Sequence, residues 1–364
     1  MKALAIGGAM IDTIAVIADE RIERMVMRNA DTSFLLLEEG RKNEAEDIST
    51  HCGGGAVNAA VAMARLGHDV SALVKLGQDA RAETILSRLS QEGVSSRFVV
   101  RDARAPTGAS VLISAHDRNA AVFTFRGANT LLEPNDLKHD AFAADLVYVA
   151  GLSNESAGCF AKIIEQAKAQ GAMVATNPGI RQLSARQGQF REIISKIDML
   201  ALNRHEAGSL VPWLVDIAGE GGPSLEHQPG EMLPELARRG LVGGGFEMSL
   251  AKFLRALHEL GPAWIVITDG KDGAFVGGPS GVLHCPAAPV TVVGTAGAGD
   301  AYCSTFAAYI AQSAPVEQAA LAAAANASSV VTWLDTQSGL LRRKDLEERV
   351  TALRSSLRMR EWKL

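Results

Sequence analysis

Short apolar runs alternate with helix-patterned stretches along this chain, and that alternation limits its possible folds more than any other feature. The runs fall at residues 3–6, 70–75, 146–150, 172–175, 198–202 and 264–268, each with the length and continuity of a strand buried on both faces. Helical patterning occupies 56–66, 81–92, 157–169, 248–259, 299–311 and 316–333. Strands separated by helices need crossover connections, so the spacing predicts an α/β chain: a three-layer α/β/α sandwich around a mostly parallel central sheet. At 364 residues the chain could hold two average domains, but α/β folds use this length as one, and 1–364 reads as a single domain.

Three segments break the rhythm. Residues 12–50, which contain Phe34-Leu35-Leu36-Leu37, and 107–126, where the apolar stretches 110–114 and 121–125 flank His116-Asp117-Arg118-Asn119, read as antiparallel strands outside the main sheet. They are expected to form a small β-sheet lid over a ligand cleft, or else to decorate a sheet edge. Open sheet edges tend to be covered, so a homodimer through the lid is expected. Residues 216–247 hold Gly219, Gly221, Gly222, Pro223, Pro229 and Gly243-Gly244-Gly245. That density predicts a long surface loop or mobile insertion, with a short helix at 231–239.

Charge and cysteine usage exclude several functions. The balance of 36 basic and 41 acidic side chains gives −5 without a long basic run, so no nucleic-acid partner is expected. Cys52, Cys159, Cys285 and Cys303 show no metal or disulfide spacing and suit a reducing cytoplasm. The opening run is too short for a signal peptide and no stretch is long enough to span a bilayer, so no membrane partner is expected. The dinucleotide GxGxxG and Walker GxxxxGK[ST] patterns are both absent from the sequence, which removes the main support for dehydrogenase and P-loop readings.

Four stretches carry chemistry. In Gly294-Thr295-Ala296-Gly297-Ala298-Gly299-Asp300-Ala301-Tyr302, small residues run into a helix and leave its first N–H groups open, an anion hole. Asp300 either caps that helix or faces a bound hydroxyl and takes its proton. In Gly53-Gly54-Gly55-Ala56-Val57-Asn58, a glycine loop opens a helix that Gly67 closes, and the polar Asn58 must be satisfied by protein or ligand. Asn203 and Glu206 stand three apart at a strand-to-helix junction, where they can form a capping box or meet phosphate and hydrated magnesium. The stretch 265–275 empties a buried strand into Thr268-Asp269-Gly270-Lys271-Asp272-Gly273, either a hairpin turn or a close approach to a phosphate tail. The first apolar run breaks at Gly7-Gly8 and is expected to deliver Asp12 to the top of the sheet.

Taken in order, these stretches resemble the ribokinase-like (PfkB) family of carbohydrate kinases over nearly the whole chain. Gly53-Gly54 with Asn58 is similar to its N-terminal signature and Thr295 to Asp300 to its C-terminal one, with Thr107-Gly108 and Gly127-Ala128-Asn129 where the family has TG and GAN elements. The resemblance implies Asp300 as catalytic base, with the N–H groups of Gly297, Ala298 and Gly299 on the phosphoryl oxygens. It implies an acceptor pocket of Asp12, Gly54 and Asn58, and ATP along Asn203, Thr268, Gly270 and Gly273, with Ala287 to Val290 and Asn326 flanking the adenine. Magnesium would be held through water by Glu206. Gly294 stands where many members have aspartate in a monovalent-cation site, so a potassium requirement is not expected.

The implied activity is ATP-dependent phosphorylation of a hydroxyl on a sugar or sugar-like alcohol. A nucleoside kinase on the same fold is the alternative, and a non-catalytic sugar-binding regulator the minor one. Aromatics are only 5% of the chain, with Phe34, Phe123 and Phe125 as lid candidates for a base platform, which favours a free sugar. Arg181, after Asn177-Pro178-Gly179-Ile180, lies either in a plain turn or at the acceptor, and the second would favour an acidic substrate.

Overall fold

A computed structural model describes residues 1–17, 23–26, 33–36, 40, 42–115, 120–227 and 232–363. Among these the alternating runs form one nine-stranded sheet. Its order is Arg360–Trp362, Gly281–Cys285, Ala274–Gly278, Trp264–Thr268, Met199–Asn203, Met173–Thr176, Leu146–Val149, Lys2–Ile6, Asp69–Leu73. From Trp264–Thr268 to Asp69–Leu73 all neighbours are parallel, and the strands beyond Trp264–Thr268 add on antiparallel.

Alternate residues of the inner strands feed opposite layers, as the two-residue strand period requires. Leu4, Ile6, Val147, Val149, Leu200 and Leu202 pack with the helices Phe160–Ala169, Arg204–Ala218 and Leu250–Glu259. Ala3, Ala5, Leu146, Tyr148, Met199 and Ala201 pack with Gly55–Arg65, Ala298–Ile310 and Val316–Val330. The expected three-layer sandwich is present. In the second layer the side chains are small: every residue from Ala56 to Met63 is buried, and four of those eight are alanine. Small side chains let Gly55–Arg65 approach Ala298–Ile310 closely enough for a polar contact between them.

Four strands form the smaller sheet, in the order Ala120–Phe125, Gly108–Ala115, Met10–Ile17, Asp47–Gly53. The sequence predicts antiparallel strands here, yet the central pair, Met10–Ile17 with Gly108–Ala115, is parallel. The chain between them passes back through the main sheet, a crossover, so both strands leave its rim in the same direction. A second correction concerns Asp12, which does not end the first apolar run but is the third residue of a separate strand, Met10–Ile17. Ser33–Leu36 pairs separately with Glu23–Val26, while the Phe34 side chain and the turn 116–119 lie outside the described residues.

Residues 216–247 also differ from expectation. They begin inside the helix Arg204–Ala218, include the short helix Glu235–Arg239, and continue into a hairpin of Leu241–Gly243 and Phe246–Met248. Leu236, Leu241 and Met248 are fully buried in the first layer. The glycines here serve contact more than mobility: a Cβ on Gly208 would come within 2.8 Å of the Val242 carbonyl oxygen, and one on Gly243 would strike the Gly208 carbonyl.

Candidate active site

The helix Ala298–Ile310 begins at the left-handed Gly297, φ 80°, and no side chain caps it. Its first internal bond runs from the Ala301 N–H to the Gly297 carbonyl at 2.9 Å, so the preceding N–H groups have no partner within the helix. A Cβ on Gly297 would come within 2.7 Å of Thr336, whereas the space over Gly299 is open. The result is a tight turn with an uncovered positive end, suited to an anion.

Asp300 does not cap this helix. Its Oδ2 accepts from Asn58 Nδ2 at 2.8 Å. The Asn58 Oδ1 in turn accepts from Thr336 Oγ1 at 2.9 Å and Gln337 Nε2 at 3.1 Å, and Gln337 Oε1 accepts from Arg88 Nε at 3.0 Å. Protein therefore satisfies Asn58, and the amide acts as the strut that fixes the carboxylate. Burial pushes the Asp300 carboxyl above its ordinary value, the Asn58 bond pulls it back and the charge of Asp12 pushes it up again.

Three consecutive glycines make the opposite wall. A Cβ on Gly53 would collide with the Asp12 carboxylate, and one on Gly55 would meet Ala150 at 3.0 Å and Asp300 Oδ1 at 3.4 Å. Gly54 has φ 98°, and a Cβ there would press on Gly8 and Ala9. The sequence signature thus reflects close approach on both sides of the cleft.

Register places the rest of the acceptor pocket. His51, Asp12, Ser110 and Thr124 stand in one row across the smaller sheet and face the cleft. Ser110 Oγ donates to Asp12 Oδ1. Burial raises the Asp12 carboxyl, partly countered by Ser110 and by His51. These residues with Met10, Ile14, Leu112, Val122, Arg126, Leu334, Asp335 and Thr336 line a cavity of about 300 Å³. Hydrogen bonds from Ser338 and Gln337 overcome burial and hold Asp335 below the usual carboxylate range. Phe123 and Phe125 alternate out of this row and face solvent, so neither serves as the base platform weighed from sequence.

At the other end, Asn203 and Glu206 form the capping box: Asn203 Oδ1 accepts from the Glu206 N–H at 2.8 Å, and Glu206 Oε2 accepts from the Asn203 N–H at 2.9 Å. Glu206 is buried, which raises its carboxyl despite Asn203 and Asn177, and its Oε1 has no hydrogen-bond partner among the described residues. Asn203 and Thr268 pair directly in adjacent strands, and the turn Gly270–Asp272 joins Trp264–Thr268 to the antiparallel Ala274–Gly278. Beside it the buried Asp269 Oδ2 is unpartnered.

Asn326 is fully buried, donates to Thr305 Oγ1 at 2.8 Å and accepts from the Leu341 N–H at 2.9 Å, so protein groups on both sides fix its amide. Thr107-Gly108 and Asn129 anchor the base of the smaller sheet: Asn129 exchanges both amide bonds with Ala9, at 2.9 and 2.8 Å, and Thr107 Oγ1 accepts from the Gly77 N–H. Gly294 lies under the carbonyls of Trp333 and Leu334, where a Cβ would come within 2.9 Å. Thr336, Gln337, His51, Ser110 and Arg126 were not read as site residues, because no local motif marks them.

The chain matches the pfkB family carbohydrate kinase over residues 21–215 and 244–343, a match that omits 216–243. It is 29% identical over 332 residues to a deoxyribokinase of Salmonella typhimurium, covering 89% of this chain and 94% of that one. Ribokinase of Thermotoga maritima superposes with a TM-score of 0.70 at 20% identity, over 96% of this chain and 99% of its own. Arabidopsis thaliana ribokinase, solved with ribose and ATP, gives 0.69 at 20% identity over 96% and 98%. No helix among the described residues is long and apolar enough to cross a membrane.

Proposed function

The chain belongs to the pfkB family of carbohydrate kinases, and from that premise we propose that it moves the γ-phosphoryl group of ATP onto a hydroxyl of a free sugar or sugar-like alcohol. The observation that carries this reading is Asp300 held by Asn58 beside an uncovered helix start. Asp300 takes the acceptor's hydroxyl proton while the oxygen forms a bond to the γ-phosphorus. The bond from that phosphorus to the bridging oxygen breaks, and ADP leaves. N–H groups of Gly297, Ala298 and Gly299 hold the phosphoryl oxygens, positioning that dominates phosphoryl transfer. Asp12, seated on Gly53 and backed by Gly54, offers its oxygens to acceptor hydroxyls, and Asn58 reaches the acceptor only through Asp300.

Asn203, Thr268, Gly270 and Gly273 line the path of the nucleotide phosphates. Glu206 fits a hydrated magnesium, which takes few protein ligands alongside water and phosphate, and such an ion would neutralise charge on the phosphates. No monovalent-cation requirement is proposed. No Phe, Tyr or Trp lines the acceptor cavity among the described residues, and the polar groups Asp12, His51, Ser110 and Thr124 share one face of it, which favours a sugar over a nucleoside. A reducing cytoplasm suits the four unpaired cysteines and the proposed use of ATP.

Ile48, Val111, Phe123 and Phe125 lie exposed on the outer face of the smaller sheet, and a second copy of this chain would cover them. Ultracentrifugation of Phe123→Ser against the parent chain tests that pairing. For the activity itself, ADP release with ATP, magnesium and a panel of pentoses, hexoses, aldonates and nucleosides is decisive. Acceptor-dependent ADP with matching sugar phosphate is expected; turnover of nucleosides alone would select the alternative, and tight acceptor binding with no turnover would select the non-catalytic regulator.

A further inference from the structure

The acceptor cavity is polarised. Asp12, His51 and Ser110 make one part of it suited to hydroxyls, while Arg126, at the end of the Ala120–Phe125 strand, brings a guanidinium into the same cavity from the sheet's edge. Arg126 is half-buried and its Nη1 donates to Ser153 Oγ at 2.8 Å. Among the described residues no carboxylate pairs with it. Its charged neighbour is Arg181, outside the cavity lining, whose Nη1 donates to Asn154 Oδ1 at 2.7 Å and which has no acidic partner among the described residues.

Several other arginines of the chain are neutralised. Arg65 and Arg88 share Glu92, Arg101 meets Glu83, and Arg104 bridges Asp102 and Glu133. A guanidinium offers five donors and matches planar or tetrahedral oxyanions, so an arginine without a carboxylate partner in a ligand cavity, with a second such arginine beside it, is a recognition element for an anion. Burial and the repulsion of Arg181 hold Arg126 below the usual arginine value, a penalty that a bound anion would relieve.

We propose that the acceptor carries an anionic group, a carboxylate or a phosphate ester, away from its reacting hydroxyl, and that Arg126, supported by Arg181, selects it. This rests on the kinase reading and narrows its substrate class from sugars in general to acidic sugars. Ser153 and Asn154 set the direction of the two guanidinium groups, while Asp12 keeps the hydroxyl end oriented.

The test is kcat/KM for D-ribose, 2-deoxy-D-ribose and D-fructose against D-gluconate and D-fructose 6-phosphate, on the parent chain, Arg126→Gln and Arg126→Lys, with KM for ATP measured alongside. An anionic acceptor is expected to exceed the neutral ones, gluconate marking a carboxylate site and the hexose phosphate a phosphate site. Arg126→Gln is expected to lower the anionic-to-neutral ratio about 10- to 100-fold, the range for a lost charged hydrogen bond, and Arg126→Lys to restore part of it. A neutral sugar as best acceptor, with a ratio that R126Q does not move, overturns the proposal. So does a uniform loss with raised KM for ATP, which would assign Arg126 to the nucleotide. Should no acceptor be phosphorylated, the kinase reading fails by itself. Calorimetric titration with gluconate and with phosphate then decides the anion site: binding lost in R126Q supports it, and no binding to the parent chain overturns it.

Discussion

The two aspartates of the cleft are held in unlike ways. Asp300 stands on a core helix, and behind its strut, Asn58, two further donors, the adjacent Thr336 and Gln337, and finally Arg88 brace the arrangement from two separate segments. Asp12 stands on a thin sheet whose outer face is exposed, and its one hydrogen-bonded side-chain partner, Ser110, comes from the neighbouring strand. The difference matches two tasks. A base must keep one geometry relative to the phosphoryl group, whereas a group that grips the acceptor can ride on an element that moves with closure.

The largest effect is expected at the braced end. Asp300→Asn keeps the volume and the Asn58 contact but cannot take a proton, so kcat is expected to fall about 10²- to 10⁴-fold with ATP binding retained, as steady-state rates and nucleotide titration would show. The same substitution is expected to raise the melting temperature at neutral pH. The folded-state pKa of Asp300 is raised, so its stabilising contribution is present at low pH and is lost as pH rises through that value; the advantage of asparagine therefore shrinks on acidification.

Next comes the looser end. Asp12→Asn is expected to lower kcat/KM for the acceptor roughly 10- to 100-fold, mostly through KM, while KM for ATP stays put. Smaller still, Asn58→Ala removes the strut and leaves the base, and is expected to reduce kcat about tenfold with little change in acceptor KM. If Asn58→Ala acted on KM and Asp12→Asn on kcat, the contrast between the two carboxylates would be reversed.

What could be read from the residues alone follows the same division. Glycine runs, the helix start and the apolar alternation depend on local spacing, so Asp300, Asn58 and the parallel sheet were legible. The capping box at Asn203 and Glu206 was legible too, though spacing did not choose between cap and phosphate contact. Thr336 and Asn58 are 278 positions apart, and no spacing rule connects them. The row His51, Asp12, Ser110, Thr124 depends on strand register, which is set only when the sheet assembles. Asn326 illustrates the converse: a polar residue in an alanine-rich helix invites a ligand, yet Thr305 and the Leu341 N–H already satisfy it.

The most direct test of Asp300 as the base is the pH dependence of kcat at saturating ATP and acceptor. The parent chain is expected to show a single acid limb with its midpoint above the ordinary aspartate value, because burial and Asp12 raise the Asp300 carboxyl. That limb should persist in Asp12→Asn and vanish from the residual rate of Asp300→Asn. An acid limb unchanged in Asp300→Asn would contradict the assignment.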